Sequence, residues 1–349
     1  MIVEMVRGAS QEQVDAVVER ARSYGCEVQL NVGTDKVVAA ILGSDTGSLS
    51  TDVFAVLPGV QSVTRVMVPY KLASREFRPQ QTVVRIGDVA FGGPHFAVVA
   101  GPCSIESHEQ LLATARHVRH AGATVLRGGA FKPRTSPFSF QGLGIEGVHL
   151  LEEVRRETGL PVVSEITNPA YLDAMVDHVD ALQIGTRNMQ NYSLLSAVGQ
   201  SGKPCILKRG LAATVTEWLQ AADYLLAAGG DQVILCERGI RTFETSTRFT
   251  LDIAAIGVVK RASHLPVIVD PSHAAGHYAL VPTLARAAVA AGADGLLIEV
   301  HPDPVNALSD GLQSLTFNDF ERLMGEVGAL ARVMGRPLAP VGARAESAG

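Results

Sequence analysis

Ionisable side chains follow each of eight short apolar segments in the chain from residue 96 onward. They are Cys103; Arg127, Lys132 and Arg134; Glu165; Arg187; Lys208 and Arg209; Glu237 and Arg238; Asp270 and His273; and Glu299 and His301. A single charged residue in such a position is usually a solvated loop residue. Because the pattern recurs after all eight segments, it indicates one functional site and favours an enzyme.

Five of these residues are cations and point to an anionic ligand. They are Arg127, Lys132, Arg187, Lys208 and Arg238, in a chain whose formal net charge is −5. Arginine pairs with carboxylates and phosphates through two parallel hydrogen bonds, and lysine acts as a point charge. A substrate with both groups suits five cations better than a substrate with either alone. The sequence has no Walker loop, so nucleotide binding is not indicated.

A second group has the side-chain types of a metal site. It consists of Cys103, His273, Glu299 and Asp310. One thiolate, one imidazole and two carboxylates suit a borderline divalent ion such as Zn²⁺, Fe²⁺ or Mn²⁺. The four residues are scattered along the sequence, so their spacing gives no ligand signature. The alternatives are a small buried hydrophobe for Cys103 and a capping or supporting role for His273.

The eight apolar segments predict the fold that brings these residues together. They span residues 96–99, 124–126, 162–164, 181–184, 205–207, 233–235, 267–269 and 296–298, and each precedes a helix candidate, the last at 317–333. Continuous apolar runs are typical of parallel strands covered on both faces. Eight such units over about 240 residues predict an α/β fold, a closed (β/α)8 TIM barrel whose strand ends converge on one mouth. A doubly wound open sheet is the alternative.

The residues before the barrel predict a separate small domain. Segments 2–6, 11–23, 28–31, 36–42, 49–57 and 60–67 indicate strand, helix, strand, strand, helix and strand. This order is that of an α+β ferredoxin-like (βαββαβ) domain. We therefore expect a regulatory or oligomerisation domain at 1–70, a connector with a β-hairpin at 71–95, the catalytic barrel at 96–334 and a flexible tail at 335–349.

Composition excludes several other classes of protein. Apolar residues make up 47% of the chain, enough for a sizeable core, which argues against disorder. No basic face predicts a nucleic-acid partner, and no basic amphipathic helix predicts a membrane partner. The start lacks the apolar run of a signal peptide, and four cysteines do not make a disulfide framework. We therefore expect a cytoplasmic location.

Several stretches together resemble the 3-deoxy-D-arabino-heptulosonate 7-phosphate (DAHP) synthase family, in its type I-beta form with an N-terminal ferredoxin-like regulatory domain. The most recognisable are Gly-Pro-Cys-Ser-Ile-Glu-Ser at 101–107 and Lys-Pro-Arg-Thr at 132–135. Others lie at 69–76, 127–131, 184–188, 207–210, 236–239, 270–273 and 307–311. Each stretch alone is a weak signal, but their occurrence in this order is specific.

The resemblance implies condensation of phosphoenolpyruvate with erythrose 4-phosphate and water, the first step of the shikimate pathway, by a metal-dependent transferase. It implies one divalent ion (Mn, Fe, Zn or Co) held by Cys103, His273, Glu299 and Asp310. It implies a phosphoenolpyruvate carboxylate near Arg127 and Lys132, its phosphate near Arg187, Lys208 and Arg238, and the aldose phosphate near Pro133, Arg134 and Thr135. We expect Lys132, Cys103 and His273 to be catalytic, and Glu165 to handle the proton of water or to pair with a cation.

The family also implies a regulated homo-oligomer, a dimer or a tetramer. Tyrosine or phenylalanine would bind between N-terminal domains of neighbouring subunits, or the domain would serve packing alone. Three other functions remain open. They are a 3-deoxy-manno-octulosonate 8-phosphate synthase that uses arabinose 5-phosphate, a Schiff-base aldolase that uses Lys208, and a non-catalytic effector-binding protein.

Overall fold

The computed structural model describes residues 1–33, 36–43, 46, 49–65, 68–132 and 136–341. The chain forms two compact units. One contains Met1–Gln81 together with Arg261–His264, and the other contains Thr82–Lys260 and the chain from Leu265 onward. None of the described helices combines the length and the apolar character needed to cross a membrane.

The first unit has the predicted ferredoxin-like order. Its elements are β1 (Ile2–Met5), α1 (Gln11–Ser23), β2 (Glu27–Val32), β3 (Val37–Leu42), α2 (Asp52–Ala55) and β4 (Val60–Thr64). The strands form one antiparallel sheet in the order β2-β3-β1-β4. Helix α1 begins at a capping box of Ser10 and Gln13 and buries Val14, Val17 and Ala21, as its helical spacing of apolar residues requires.

The second unit begins with a two-stranded hairpin and continues as alternating strands and helices. The elements are β5 (Val84–Ile86), β6 (Val89–Phe91), β7 (Ala97–Gly101), α3 (His108–His120), β8 (Val125–Arg127), α4 (Ile145–Thr158), β9 (Val162–Ile166), α5 (Leu172–Val176), β10 (Ala181–Ile184), α6 (Tyr192–Gln200), β11 (Cys205–Lys208), α7 (Val215–Ala227), β12 (Val233–Glu237), α8 (Ile253–Ala262), β13 (Val267–Val269), α9 (Pro271–Ala275), α10 (Val281–Ala290), β14 (Gly295–Glu299) and α11 (Phe317–Val333). Strands β7 to β14 are parallel, and β14 pairs with β7. The barrel is therefore closed, and the open-sheet alternative is wrong.

The two-residue period of a strand determines which side chains lie inside the barrel. Alternate residues of all eight strands, among them Ile206 and Leu297, form one buried apolar cluster. Residues two positions further along a strand lie on the same face. Lys208 and Glu299 therefore also face inward, but at the carboxyl ends of their strands. The same two-residue spacing from an inward apolar residue places Arg127, Glu165, Gln183 and Asp270 on the inward face.

The hairpin closes the opposite end of the barrel. Strands β5 and β6 are antiparallel, and Val84, Ile86, Val89 and Phe91 belong to the same buried cluster as the inward residues near the amino ends of the barrel strands. Phe91 is fully buried. The amino end of the barrel is therefore packed with apolar side chains, and the polar chemistry is confined to the carboxyl end.

Part of the predicted flexible tail is ordered. The backbone N–H of Phe96 donates to Pro337 O at 2.9 Å, and that of Ala339 donates to Phe96 O at 2.9 Å. Residues 337–339 thus extend alongside the start of β7, in contrast to the sequence-based expectation, because the backbone groups of Phe96 still need partners there. Residues 342–349 of that predicted tail lie outside the described residues.

We expect Phe91→Ala to destabilise the barrel by about 3–5 kcal/mol, because it removes a buried aromatic ring from the closed end. Urea unfolding followed by the fluorescence of Trp218, the single tryptophan and a buried residue of α7, measures the effect. Phe243 is 97% exposed, so Phe243→Ala is the matched control, with an expected change within about 0.5 kcal/mol. Equal effects of the two substitutions would contradict the role of the hairpin.

Candidate active site

A cavity of about 470 Å³ lies at the carboxyl ends of the barrel strands. Its lining is rich in cations: Lys132, Arg187, Lys208, Arg238, Arg241 and Arg248. Glu165, His273 and Asp310 also line it. Barrels of this type place their active sites at this end. The cavity therefore collects most of the candidate residues that the sequence indicates.

Three carboxylates beside the cavity each have a cationic partner. Burial alone would raise the pKa of Asp270, but the neighbouring His273 and Lys208 outweigh burial and hold this pKa well below its usual value. Burial would likewise raise the pKa of Glu299, and His273, Arg127 and Lys132 lower it to about 2. Burial would also raise the pKa of Asp310, but the charge of Lys132 holds it well below its usual value, so all three carboxylates are ionised at neutral pH. The pairs are Arg127–Glu299 at 2.7 Å, Lys132–Asp310 at 3.3 Å and Lys208–Asp270 at 2.5 Å.

Arg238 differs from these cations because it is buried without a hydrogen-bond partner. Its Nε and Nη1 atoms have none among the described residues, and its guanidinium carbon lies 4.2 Å from the ring centre of Phe249. Burial lowers the pKa of Arg238, because a charged group loses its hydration there. A buried guanidinium that lines a cavity and whose donors have no described partner can bind an anion.

Three of the four predicted metal ligands lie together, and the fourth, His273, is close to one of them. Ligand atoms of Cys103, Glu299 and Asp310 are within 4.8 Å of one another, and Cys103 Sγ lies 3.1 Å from Asp310 Oδ2. His273 Nε2 lies 3.6 Å from Glu299 Oε1. The fold therefore brings together Cys103, Glu299 and Asp310, which are far apart in the sequence, with His273 beside Glu299.

The loop after β14 is shaped to present Asp310. Asp310 has φ +48°, a left-handed conformation that is uncommon outside glycine and concentrates at functional sites. Arg248 donates to Asp310 Oδ1 at 3.2 Å and to Gln313 Oε1 at 2.7 Å. Gln313 Nε2 in turn donates to Glu299 Oε2 at 2.6 Å. Arg248 and Gln313 thus fix both carboxylates in place.

The environment of Cys103 makes its thiol a poor acid. Burial, and next the negative charge of Glu299, raise the pKa of Cys103 to about 12, although Lys132 Nζ is only 2.6 Å from its Sγ. A neutral thiol is the expected state at neutral pH unless a stronger positive charge binds there. The buried position agrees with the alternative of a small core residue, but the polar neighbours do not.

His273 is oriented by a carboxylate. Its Nδ1 lies 2.7 Å from Asp270 Oδ2, and Asp270 also caps helix α9 by accepting from the backbone N–H of His273 at 2.9 Å. A carboxylate on one imidazole nitrogen commonly supports a metal bond at the other. This arrangement and the mixed donor set of thiol, imidazole and carboxylates fit a divalent ion of borderline softness.

Glu165 lines the cavity from strand β9. Gln183 Nε2 donates to its Oε2 at 3.0 Å, and a side chain at Gly185 would place Cβ 2.1 Å from Glu165 Oε1. The absence of a side chain at Gly185 therefore makes room for the carboxylate. In the described part of the chain no cation lies within ion-pair distance of Glu165, which leaves it able to accept a proton.

The structure also separates residues that the sequence grouped together. Arg127 does not line the cavity, because it faces Glu299 and the carbonyl oxygen of Cys103. Arg209 and Glu237 pair with each other at 2.8 Å, away from the cavity lining. Pro133, Arg134 and Thr135, the predicted aldose-phosphate contact, lie outside the described residues.

Sequence reasoning missed three residues of this site. Arg241 and Arg248 belong to the long loop after β12, and Gln313 follows Asp310. All three residues follow the carboxyl ends of barrel strands, which was the one indication in the sequence. Because they lie far along their loops, the sequence could not show that they reach the site.

The fold and site together define a class: a (β/α)8-barrel enzyme with a cation-lined cavity beside a possible set of metal ligands. Residues 74–333 match the DAHP synthetase I family, and residues 1–68 match the DAHP synthase ferredoxin-like domain. The chain therefore belongs to the DAHP synthase family and is a transferase-type aldolase. The family is generally metal-dependent, and the group of Cys103, Glu299 and Asp310 is a possible ligand set.

Similar proteins cover nearly the whole chain. A phospho-2-dehydro-3-deoxyheptonate aldolase of Thermotoga maritima is 47% identical over 96% of this chain and 99% of its own length. A crystal structure of the Thermotoga maritima DAHP synthase is similar with a TM-score of 0.78 at 46% identity, covering 97% of this chain and 99% of the other. A 2-dehydro-3-deoxyphosphooctonate aldolase of Syntrophotalea carbinolica is 34% identical over 72% of this chain and 96% of its own.

Two substitutions distinguish Arg238, which has no described hydrogen-bond partner, from Arg127, which pairs with Glu299. We expect Arg238→Met to leave the free energy of unfolding unchanged or raised, because it removes a buried charge that lacks a partner. Arg127→Met should lower it by about 3–5 kcal/mol, because Glu299 would stay buried and unpaired. Urea unfolding of both variants measures the difference, and a large loss for Arg238→Met would mean that Arg238 supports the fold rather than an anion.

Proposed function

We propose that this chain condenses phosphoenolpyruvate with erythrose 4-phosphate and water to give DAHP and inorganic phosphate. The observation that carries the proposal is the buried guanidinium of Arg238, which has no hydrogen-bond partner in the described part of the chain and lines a cationic cavity beside the group of Cys103, Glu299 and Asp310. Phosphoenolpyruvate combines a carboxylate with a phosphate, so it can engage more of these cations than an anion with a single charged group.

The cavity cations would hold phosphoenolpyruvate at both ends. Lys132 would face the carboxylate, and Arg187, Lys208 and Arg238 would bind the phosphate. Arg127 would act mainly as a positioning residue, since its contacts hold Glu299 and the backbone of Cys103. Arg134, with Pro133 and Thr135, would bind the aldose phosphate. Holding both substrates in one cavity removes much of the entropic barrier to their encounter.

The reaction then joins C3 of phosphoenolpyruvate to the aldehyde carbon and replaces the phosphate at C2 with the oxygen of water. Carbon C3 of phosphoenolpyruvate attacks the aldehyde carbon, and a water molecule adds at C2, where positive character develops. The bond from C2 to the phosphate oxygen breaks, phosphate leaves and C2 becomes a ketone. Glu165 would accept one proton of the water, which ends on the former aldehyde oxygen to make a hydroxyl, and the second proton of the water would leave with the phosphate. The phosphate-binding cations would stabilise the charge on this leaving group.

Cys103, His273, Glu299 and Asp310 would hold one divalent ion, Mn, Fe, Zn or Co, which supplies Lewis acidity toward the aldehyde oxygen. Asp270 would keep the imidazole of His273 oriented, and Arg248 and Gln313 would keep the two carboxylates in place. Lys132, 3.3 Å from Asp310, would place its positive charge between this group and the substrate carboxylate.

A second candidate is the condensation with arabinose 5-phosphate. It is favoured by the similarity to the phosphooctonate aldolase of Syntrophotalea carbinolica. The weaker identity and shorter coverage make it the less supported reaction. The Schiff-base alternative is disfavoured, because Lys208 Nζ is held in an ion pair with the buried Asp270 and is not free to attack a carbonyl carbon.

We propose for the first unit a binding site for tyrosine or phenylalanine, in a cytoplasmic homo-oligomer that is a dimer or a tetramer. Strand β2 is at the edge of the sheet, and Leu30 and Val32 on it are exposed, Val32 by 72%. An exposed apolar edge strand is a surface on which a second sheet or a small apolar ligand can bind.

Metal binding should be accompanied by release of about one proton per chain. The thiol of Cys103 is protonated at neutral pH and must lose its proton to bind a metal ion, whereas the carboxylates are already ionised. Titration of chelator-stripped protein with Mn²⁺ in a weakly buffered indicator solution counts the protons, and activity should return with the metal. Cys103→Ser should abolish the release, and Cys205→Ser, at another buried cysteine, should not. Full activity of stripped protein would contradict the metal proposal.

Turnover with erythrose 4-phosphate should exceed turnover with arabinose 5-phosphate, measured as phosphate released from phosphoenolpyruvate. Lys132→Ala should lower kcat/KM by about 100-fold, through a higher KM for phosphoenolpyruvate and a lower kcat. Lys203 precedes β11 at the amino end of the barrel and donates to Val179 O, so Lys203→Ala is the matched control. Preference for arabinose 5-phosphate would favour the second candidate, and unchanged kinetics of Lys132→Ala would remove Lys132 from the site.

A further inference from the structure

A second cluster of potential metal ligands lies in the helical layer outside the barrel. His149 and Glu152 are three residues apart on helix α4, and His178 follows helix α5. One ligand atom of each residue lies within 4.8 Å of the other two. Residues three apart on a helix share a face, so α4 presents both ligands toward His178. None of the three lines the cavity described above.

We propose that His149, Glu152 and His178 form a second binding site for a borderline divalent ion, Zn²⁺ being the best match. Two imidazoles and one carboxylate are an established tetrahedral zinc donor set, with a water molecule in the fourth position. The side chains of His178 and Glu152 are 29% and 30% exposed, so both the ion and this water can reach them from solvent.

The local geometry is close to what such an ion requires. His178 Nδ1 lies 2.7 Å from Glu152 Oε2, and the rings of His149 and His178 meet edge to face with centroids 4.8 Å apart. With bonds of about 2.0–2.1 Å, ligand atoms around tetrahedral zinc are separated by about 3.3 Å. Small side-chain rotations therefore suffice, with the backbone of α4 unchanged.

The charges of the cluster favour a cation. The hydrogen bond with His178 lowers the pKa of Glu152, so its carboxylate is ionised at neutral pH. Arg156 is 3.9 Å from the other oxygen, Oε1, which is a weak surface contact on the far side of the carboxylate. An ion bound here would join α4 to the turn after α5, independently of the catalytic centre.

Equilibrium dialysis against micromolar Zn²⁺, followed by metal analysis, tests the site in the full chain. We expect two ions per chain in the unaltered protein, one in the His149→Ala, His178→Ala double variant, and one in Cys103→Ser. His120→Ala removes an exposed imidazole at the end of α3 outside the cluster and should leave two. A double variant that binds as much Zn²⁺ as the unaltered protein would overturn the proposal.

A milder variant guards against effects on folding. Glu152→Gln keeps a hydrogen-bonding side chain but removes the charge, and should weaken Zn²⁺ binding in the Cys103→Ser background at least tenfold. Unchanged affinity would count against the site. The two metal proposals also fail separately. One ion in both the unaltered protein and Cys103→Ser, with none in the double variant, would reject only the catalytic centre, and the converse pattern would reject only this site.

Discussion

The balance of buried charge at the carboxyl ends of the strands is the constraint on which the site depends. Asp270, Glu299 and Asp310 are each matched by a cation, so these carboxylates are ionised and fixed in place. Arg238 adds a positive charge that no described carboxylate matches. A buried ion without a partner is unfavourable in the protein alone. An anion bound at Arg238 would complete this balance, as the phosphate of phosphoenolpyruvate would in the proposed reaction.

The barrel separates this polar arrangement from the packing that stabilises it. In six of the eight strands, β8 to β11, β13 and β14, an inward apolar residue is followed two positions later by an inward polar residue, as Ile206 and Lys208 illustrate. The hairpin covers the first layer, and the cavity lies above the second. A substitution in the apolar layer can consequently change the free energy of unfolding with little change in activity. A substitution in the polar layer can change activity with little change in the free energy of unfolding.

Much of this could be predicted from the sequence because it depends on local patterns. Apolar runs gave strand β10 and helix α11 with their observed bounds, and the period of two could also have separated inward Lys208 from outward Arg209. Loop contacts could not be predicted in this way. Arg248 lies 62 positions from Asp310 along the chain and touches it only through the folded loops. The inward pairing of Arg127 with Glu299 likewise depends on the closure of the barrel.

The same reasoning explains why the sequence reveals the two candidate metal sites to different degrees. The ligands of the first lie at the ends of three strands, β7, β13 and β14, and in the loops that follow them, and only barrel closure brings them together. Two ligands of the second share one helix face, so His149 and Glu152 are close in sequence as well as in space, yet the third arrives from another element. In the first site burial holds the thiol protonated, so an ion must displace a proton. In the second, solvent reaches the ligands and the carboxylate is already ionised, so an ion enters with little rearrangement. The two proposed sites therefore differ more in depth of burial than in the kind of ligand. The buried site lies beside the catalytic cavity, and the exposed site would connect two surface elements.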